Sequence, residues 1–284
     1  MNYLIYCLPA LGWGLMPIIS KKAGGSPVEQ LLGTTVTAFG ISIILSFLTG
    51  VEYTLTGTIA ALISGSFWAG GQYLQFKALK TGSVSIVMPL SNGTQLVFTS
   101  LAAGILLREW QSMRQSLVTL LLLLVILAAI YLITMNQKKD TEQKTVSLQT
   151  MIMICTSSLC LMGYMITTSL FHVEGLQIFL PQAFAMFLSS CVIAKFDPGK
   201  QELSRVSRNV LTGIFWTIAN VSLFYIVTQL GVGLSYTISQ LCIFVSIIGG
   251  ILLLKEKKTK VEVMHTIIGM VMFFSAILGL SQFK

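Results

Sequence analysis

Charged residues are scarce in this chain, and no carboxylate lies near the centre of any of its apolar segments. Asp, Glu, Lys and Arg make up 10% of the 284 residues, whereas soluble domains typically contain about 25%. Hydrophobic residues make up 54% of the chain, and the mean hydropathy is +0.82. A water-facing globule cannot bury so many apolar residues, so the composition excludes an ordinary soluble domain and indicates an integral membrane protein.

Cysteine and histidine are too few and too scattered to form a recognisable chemical site. The five cysteines lie in apolar segments without CxxC spacing, and the two histidines are far apart in the sequence. No mid-segment cluster of His, Asp or Glu offers a nucleophile, a general base or a set of metal ligands. We therefore expect no metal, no cofactor and no enzymatic activity.

Long apolar runs, by contrast, fill almost the whole sequence. Ten segments have about the 17–24 residues that an α-helix needs to cross the hydrocarbon core. They span residues 3–20, 30–49, 55–76, 84–106, 116–136, 148–170, 177–194, 208–229, 233–254 and 263–282. The sequence predicts an all-α integral membrane protein with ten transmembrane helices and short loops.

The basic residues indicate which side of the membrane each loop faces. A net charge of +8 is compatible with a nucleic-acid partner, but fifteen of the eighteen Lys and Arg residues lie in alternate loops. They are Lys21, Lys22, Lys77, Lys80, Lys138, Lys139, Lys144, Lys195, Lys200, Arg205, Arg208, Lys255, Lys257, Lys258 and Lys260. The positive-inside rule makes these loops cytoplasmic and both termini extracellular. The expected surroundings are therefore a lipid bilayer, with no nucleic acid.

An internal repeat divides the chain into two halves. The stretch "GSFWAGGQYLQF" (65–76) aligns with "GIFWTIANVSLF" (213–224) at a shift of 148 residues, so that Gln72 matches Asn220. Each half contains five segments, an odd number, so the second half enters the membrane from the opposite side. Such inverted repeats build many secondary transporters, with the substrate site between the halves.

The repeat also sets the expected domain boundaries. The first five-helix repeat covers residues 1–136, a cytoplasmic linker covers 137–145, and the second, inverted repeat covers 146–284. The two halves together form one functional transport domain. Alternating access gives the symmetry a physical use, because the halves can exchange inward-facing and outward-facing shapes.

Carboxamide side chains are concentrated in the helices that the repeat makes equivalent. An amide in lipid is costly unless it faces a partner helix or a wet cavity, and hydrogen bonding between helices is the simpler interpretation for any single polar residue. Amides beside indole rings, however, suit a neutral polyhydroxylated ligand. The candidate substrate-binding residues are Trp68, Gln72, Gln75, Asn92, Gln95, Trp216, Asn220, Ser239 and Gln240.

Two acidic residues at helix ends are candidates for a gate or for energy coupling. Glu109 and Glu256 close the fourth and ninth segments, are repeat equivalents, and each follows a basic residue. The alternative is that both are ordinary helix-end charges of little energetic value. An exporter of lipophilic cations would be expected to carry a membrane-embedded carboxylate, and none is present near mid-segment.

Several longer motifs resemble a known family. They are "LPALGWG" (8–14), "PVEQLLGTT" (27–35), "ISGSFWAGGQYLQFKAL" (63–79), "SVSIVMPLSNGTQL" (83–96), "FLPQAFAM" (179–186) and "SYTISQLCIFVSIIGGILLLKEKK" (235–258). Together they resemble the glucose/ribose porter family of the drug/metabolite transporter superfamily. The resemblance implies a carrier that takes up glucose or ribose across a bacterial plasma membrane with protons, and we expect a monomer. A drug or metabolite exporter of the same superfamily is the main alternative, and a membrane enzyme is a weaker one.

Overall fold

The computed structural model describes residues 4–135, 147–173 and 175–282, and every regular element within these ranges is a helix. The predicted linker at 137–145 lies outside the described residues. The helices are α1 (Leu4–Ala23), α2 (Pro27–Thr49), α3 (Leu55–Thr81), α4 (Val84–Leu106), α5 (Met113–Thr134), α6 (Leu148–Leu170), α7 (Phe179–Phe196), α8 (Leu203–Arg208), α9 (Val210–Leu230), α10 (Val232–Ser239), α11 (Cys242–Leu253) and α12 (Lys260–Ser281), with a 3₁₀ turn (Gly175–Ile178) before α7.

Short polar loops start the helices through side-chain capping. In α2, Ser26 and Glu29 form a reciprocal capping box ahead of the apolar run, with Pro27 at the first helical position. In α12, Thr259 and Glu262 form the same arrangement. These caps satisfy backbone N–H groups that the first helical turn leaves without partners.

Eight helical stretches among the described residues are long and apolar enough to cross a membrane. The 27-residue α3 and the 23-residue α4 are long enough but are not among the eight. Both contain the polar runs noted in the sequence, "GGQYLQ" (70–75) and "SNGTQ" (91–95), which lower their apolar character. The structure thus confirms an all-helical membrane protein, and eight of its spans are clearly apolar.

The predicted segment 233–254 forms two helices rather than one. The chain turns at Gln240 and Leu241 between α10 and α11. There, the Leu241 N–H donates to the Ile238 carbonyl at 3.1 Å and the Ile243 N–H donates to the Gln240 carbonyl at 3.1 Å. These tighter bonds interrupt the α-helix without proline or glycine at the break.

The helices pack in matching pairs. Helix α3 packs against α6 and α7, and α9 packs against α1 and α2. Close approach depends on glycines: a Cβ on Gly65 would overlap the Gln182 carbonyl oxygen of α7, and one on Gly213 would lie 2.6 Å from the Thr34 carbonyl oxygen of α2. Helix α4 packs against α11, and α5 packs against α12 at the edge of the bundle.

The bundle has a packed interior and an apolar outer surface. Trp216, Phe179 and Phe76 are fully buried, whereas Phe47 and Phe196 on the outside are about four-fifths exposed, at 85% and 79%. Large exposed apolar side chains spread over a helical bundle fit lipid tails rather than water. The surface therefore agrees with the apolar composition.

Candidate functional site

A cavity of about 430 Å³ lies inside the bundle between helices of both halves. Its walls come from α1, α3, α4, α6, α7, α9 and the α10–α11 break, with the turn before α7 at one end. The lining residues are Trp13, Met16, Trp68, Gln72, Gln75, Met88, Asn92, Gln95, Leu161, Tyr164, Met165, Thr168, Ser169, Val173, Gly175, Ile178, Gln182, Trp216, Asn220, Leu223, Phe224, Val227, Thr228, Tyr236, Gln240 and Cys242. This volume lies within the range of small-molecule sites.

Among the described lining residues, those at one end of the bundle reach the molecular surface. The cavity extends along α6 and α9 to the last turns of both helices and includes the exposed Thr228. Val173 and Ile178, at the same end, pack against Ala60 and Ala61 near the start of α3. The mouth therefore lies at the N-terminal end of α3, opposite the junction of α3 and α4.

Two indole rings form the aromatic centre of the cavity. The ring centroids of Trp68 and Trp216 are 5.0 Å apart at an interplanar angle of 61°, and Phe179 stacks on Trp216 at 6.0 Å. Edge-to-face and stacked pairs of this kind are stabilising and keep the rings fixed. The site therefore contains a rigid aromatic platform before any ligand binds.

A chain of amides connects α3 to α4 beside this platform. Gln72 Nε2 donates to Gln75 Oε1 at 2.9 Å, and Gln75 Nε2 donates to Ser91 Oγ at 2.9 Å. The relay orients Gln72, whose Oε1 accepts no hydrogen bond from residues that the structure describes. That oxygen is available to accept a hydrogen bond from a ligand hydroxyl.

Asn220, the repeat equivalent of Gln72, is held within the second half. Its Nδ2 donates to the Trp216 carbonyl at 2.8 Å, and the Tyr164 hydroxyl lies 3.3 Å from its Oδ1 and donates to it. The second N–H of its amide is left for a ligand acceptor. Gln72 therefore offers its Oε1 and its second N–H to a ligand, and Asn220 offers the second N–H of its amide.

Two further amides donate to sulfur atoms. Asn92 Nδ2 lies 3.6 Å from Cys242 Sγ, and Gln95 Nε2 lies 3.6 Å from Met165 Sδ. Thiol and thioether sulfurs are weak acceptors. A ligand oxygen in the cavity would therefore be a stronger partner for either amide than the sulfur it contacts.

The structure brings together eight of the nine predicted substrate-binding residues, and Ser239 is not part of the lining. Ser239 is fully buried, and its hydroxyl donates to the Tyr236 carbonyl of its own helix. Sequence reasoning did not identify Tyr164, Met165 or Tyr236 as lining residues. In an apolar helix, one tyrosine or methionine has no pattern that separates a cavity residue from a core residue.

The two predicted gate residues lie outside the cavity and differ in their surroundings. The Glu256 carboxylate accepts the backbone N–H groups of Val84 and Ser85, whereas Glu109 is exposed at the other end of α4. Nearby in the loop before α12, burial lowers the pKa of the Lys258 ammonium, and the carboxylates of Glu262 and Glu256 act against this effect. The charged groups thus lie at helix ends.

Among the residues that the structure describes, the lining carries no Asp, Glu, Lys, Arg or His. No group of three His, Cys, Asp or Glu residues in the described ranges could hold a metal ion. Amides, hydroxyls and indoles in an otherwise apolar cavity can hydrogen-bond and cover a small neutral polar molecule. The fold and this site define a multi-pass membrane protein with a central cavity whose described lining is uncharged.

Comparisons with known proteins supply the family. Residues 4–282 match the sugar transport protein family, and the chain belongs to it. It is 38% identical to the Listeria monocytogenes protein lmo0424, provisionally named a sugar uptake protein, with 99% of each chain covered. It is 34% identical to the glucose uptake protein GlcU of Bacillus subtilis, with 97% of this chain and 96% of that one covered.

A solved structure supports the fold alone. One crystal structure, described only as that of a protein, superposes with a TM-score of 0.63 at 15% identity, covering 97% of this chain and 94% of that chain. The family consists of transport proteins and not enzymes, which confirms the expectation that this protein is not an enzyme. The family match and the apolar helices make the chain a multi-pass protein of the bacterial membrane.

Proposed function

We propose that the protein takes up a neutral sugar, glucose or ribose, across the bacterial plasma membrane by alternating access. The observation that carries the proposal is the cavity, whose described lining is uncharged, contains several amides and is centred on two indole rings. Sugar hydroxyls need both donors and acceptors, and the C–H faces of a sugar ring pack on indoles. The name of the Bacillus subtilis relative supports glucose as one substrate.

Ten membrane-crossing helices in two inverted repeats are part of the proposal. Helices α3 and α4 have membrane-spanning length, and their amides Gln72, Gln75, Asn92 and Gln95 line the cavity. Contacts in one half recur in the other: Gly65 meets Gln182, Gly213 meets Thr34, and both members of the first pair lie 148 residues from their counterparts in the second. The proposed halves remain 1–136 and 146–284.

The indole pair supports a site on the symmetry axis. Trp68 and Trp216 are separated by the same 148 residues and contact each other directly. A residue can touch its own repeat equivalent only near the axis that relates the two halves. A site on this axis keeps its position while the halves exchange shapes, as alternating access requires. Because one chain forms the whole cavity, we propose a monomer as the transport unit.

The distribution of basic residues supports an outward-facing state with both termini extracellular. The cavity mouth lies at the end of the bundle away from Lys21 and the Lys255–Lys260 loop. To test the orientation, single cysteines are placed at Glu52 and Lys200, both exposed, in a cysteine-free background. We expect an impermeant thiol reagent to label Glu52→Cys on intact cells and Lys200→Cys only after permeabilisation; the opposite pattern contradicts the orientation.

Counterflow in proteoliposomes tests the function itself. Vesicles with purified protein are loaded with unlabelled glucose or ribose, diluted, and given a trace of the labelled sugar. We expect transient accumulation of label with at least one sugar and none in protein-free vesicles. Absence of counterflow with both sugars, together with protein-dependent efflux of lipophilic compounds, would favour the exporter of the same superfamily.

Proton coupling is also proposed, on the strength of the family resemblance. The described part of the lining has no carboxylate, so it does not identify a proton-binding group. In the same vesicles, an inside-alkaline pH gradient should drive sugar accumulation above the equilibrium level. If sugar accumulation does not depend on this gradient, the protein is a facilitator or its transport is coupled to another ion.

A further inference from the structure

Three helices meet through one carboxylate at the end of the bundle opposite the cavity mouth. Glu256, just after α11, accepts the N–H groups of Val84 at 2.6 Å and Ser85 at 2.9 Å, the first two residues of α4. Lys21, near the end of α1, lies 4.0 Å from the same carboxylate and donates to the Gly82 carbonyl at 2.6 Å. We call these contacts of Glu256 and Lys21 the α4 latch.

The α4 latch depends on a glycine. A Cβ on Gly250 would lie 2.7 Å from Glu256 Oε2 and 3.1 Å from the Ser85 nitrogen. Only glycine leaves room at this point for the carboxylate to reach the helix. The bonds are charge-assisted, and the positive end of the α4 dipole adds to them. The Glu256 side chain is 8% exposed, so water screens these contacts weakly.

The chain around the α4 latch contains buried hydroxyls without partners. Ser20, Ser83 and Ser85 each have a buried hydroxyl oxygen with no hydrogen bond among the described residues. Leaving such groups unpaired costs free energy. An opening at this helix junction would let water reach all three hydroxyls and relieve that cost.

The α4 latch lies between the cavity and the end of the bundle opposite the mouth, where a transport pathway would have to be closed. Cys242, at the start of α11, lines the cavity, and the helix runs eleven residues further to Leu253, or about 16 Å. Between these points α11 is packed tightly on α1: the Ser246 hydroxyl donates to the Gly14 carbonyl at 3.0 Å, and Ile18 contacts Gly249. Moving α4 away from α1 and α11 would continue the cavity to this side.

Glu109, the repeat equivalent of Glu256, has a similar backbone turn but different surroundings. Arg108 and Lys255 both have φ of 55°, and the N–H groups of Glu109 and Glu256 bond six residues back, at 3.4 and 3.2 Å. The two backbone turns therefore match. At the Glu109 end, however, the residue in the place of Gly250 is Ala103, and the Glu109 side chain is exposed.

We propose that Glu256 is a positioning residue of the transport cycle, whose bonds to the α4 N-terminus hold the cytoplasmic side shut while the cavity is open on the other side. The inference rests on the proposed transport function for its meaning. The α4 latch separates two conformations of the protein, and the change between them can be measured without sugar transport.

Thiol labelling of Ser85→Cys in a cysteine-free background tests the α4 latch. Ser85 is fully buried, so we expect slow labelling by an impermeant reagent applied to inside-out vesicles. Glu256→Gln should raise that rate by about tenfold, because losing the charge weakens both bonds. Gly250→Ala should do the same by steric displacement, whereas the matched variant Glu109→Gln should not raise it.

A second reporter distinguishes local opening from general loosening of the fold, and a transport assay tests the proposed function separately. Ser157→Cys, fully buried on α6, should stay protected in every variant, and increased labelling of both reporters would mean general loosening and overturn the inference. Unchanged Ser85→Cys labelling in Glu256→Gln and Gly250→Ala would also overturn it. The expected labelling pattern in a protein without sugar counterflow would support the α4 latch while refuting the proposed function.

Discussion

Replacing Gly65 with alanine is expected to destabilise the protein by about 1–3 kcal/mol, because the added methyl group would enter space that a neighbouring backbone already fills. The Cβ would overlap the Gln182 carbonyl oxygen and approach the Ala185 side chain of α7. A backbone carbonyl cannot rotate away as a flexible side chain can, so α3 and α7 would have to separate. The measurement is the midpoint of thermal inactivation of purified protein in detergent.

Gly213→Ala should have a comparable effect if the two halves are related as proposed. Its Cβ would lie 2.6 Å from both the Thr34 carbonyl oxygen and the Thr37 Cβ of α2. Gly70→Ala on α3 is the matched control, because nothing lies within 4 Å of its added Cβ. There alanine should be neutral or stabilising by up to about 1 kcal/mol. Equal stability of Gly65→Ala and Gly70→Ala would contradict this account of α3 packing.

Helical periodicity and the internal repeat were enough to predict part of the cavity lining. Trp68 and Gln72 are one turn apart, and the 148-residue shift links them to Trp216 and Asn220, so four of the lining residues follow from sequence alone. Amides in an apolar helix are informative because burying one without a partner is costly.

Other parts of the site leave no local signature. The break at Gln240 contains neither proline nor glycine, and it depends on how α10 and α11 pack. The bond from Ser85 to Glu256 joins residues 171 positions apart, and no short-range pattern specifies such a partner. Tyr164 lines the cavity because of the rotation of α6, which only the assembled bundle determines.

Loss of the Gln72 amide is expected to weaken sugar binding by about 5- to 150-fold, or roughly 1–3 kcal/mol. Gln72→Ala removes the oxygen that we assign to a sugar hydroxyl, and leaves Gln75 bonded to Ser91. Asn220→Ala should reduce affinity to a similar degree, because it removes the proposed donor and also frees the Tyr164 hydroxyl. Affinity is measured by the concentration dependence of sugar counterflow.

The contrary interpretation is that these amides only join helices, and it predicts a different result. Under it, Gln72→Ala and Asn220→Ala would lower the amount of folded protein and its thermal midpoint, while transport per folded molecule would keep its concentration dependence. Gln201→Ala, an amide in the loop after α7 that bonds only the Gly199 carbonyl among the described residues, controls for loss of a carboxamide outside the cavity. Because Gln72 and Asn220 both line the cavity and are aligned by the sequence repeat, a sugar that binds between them should be sensitive to both substitutions. Reduced affinity in only one variant would place the sugar against one half of the cavity and would contradict a site on the symmetry axis.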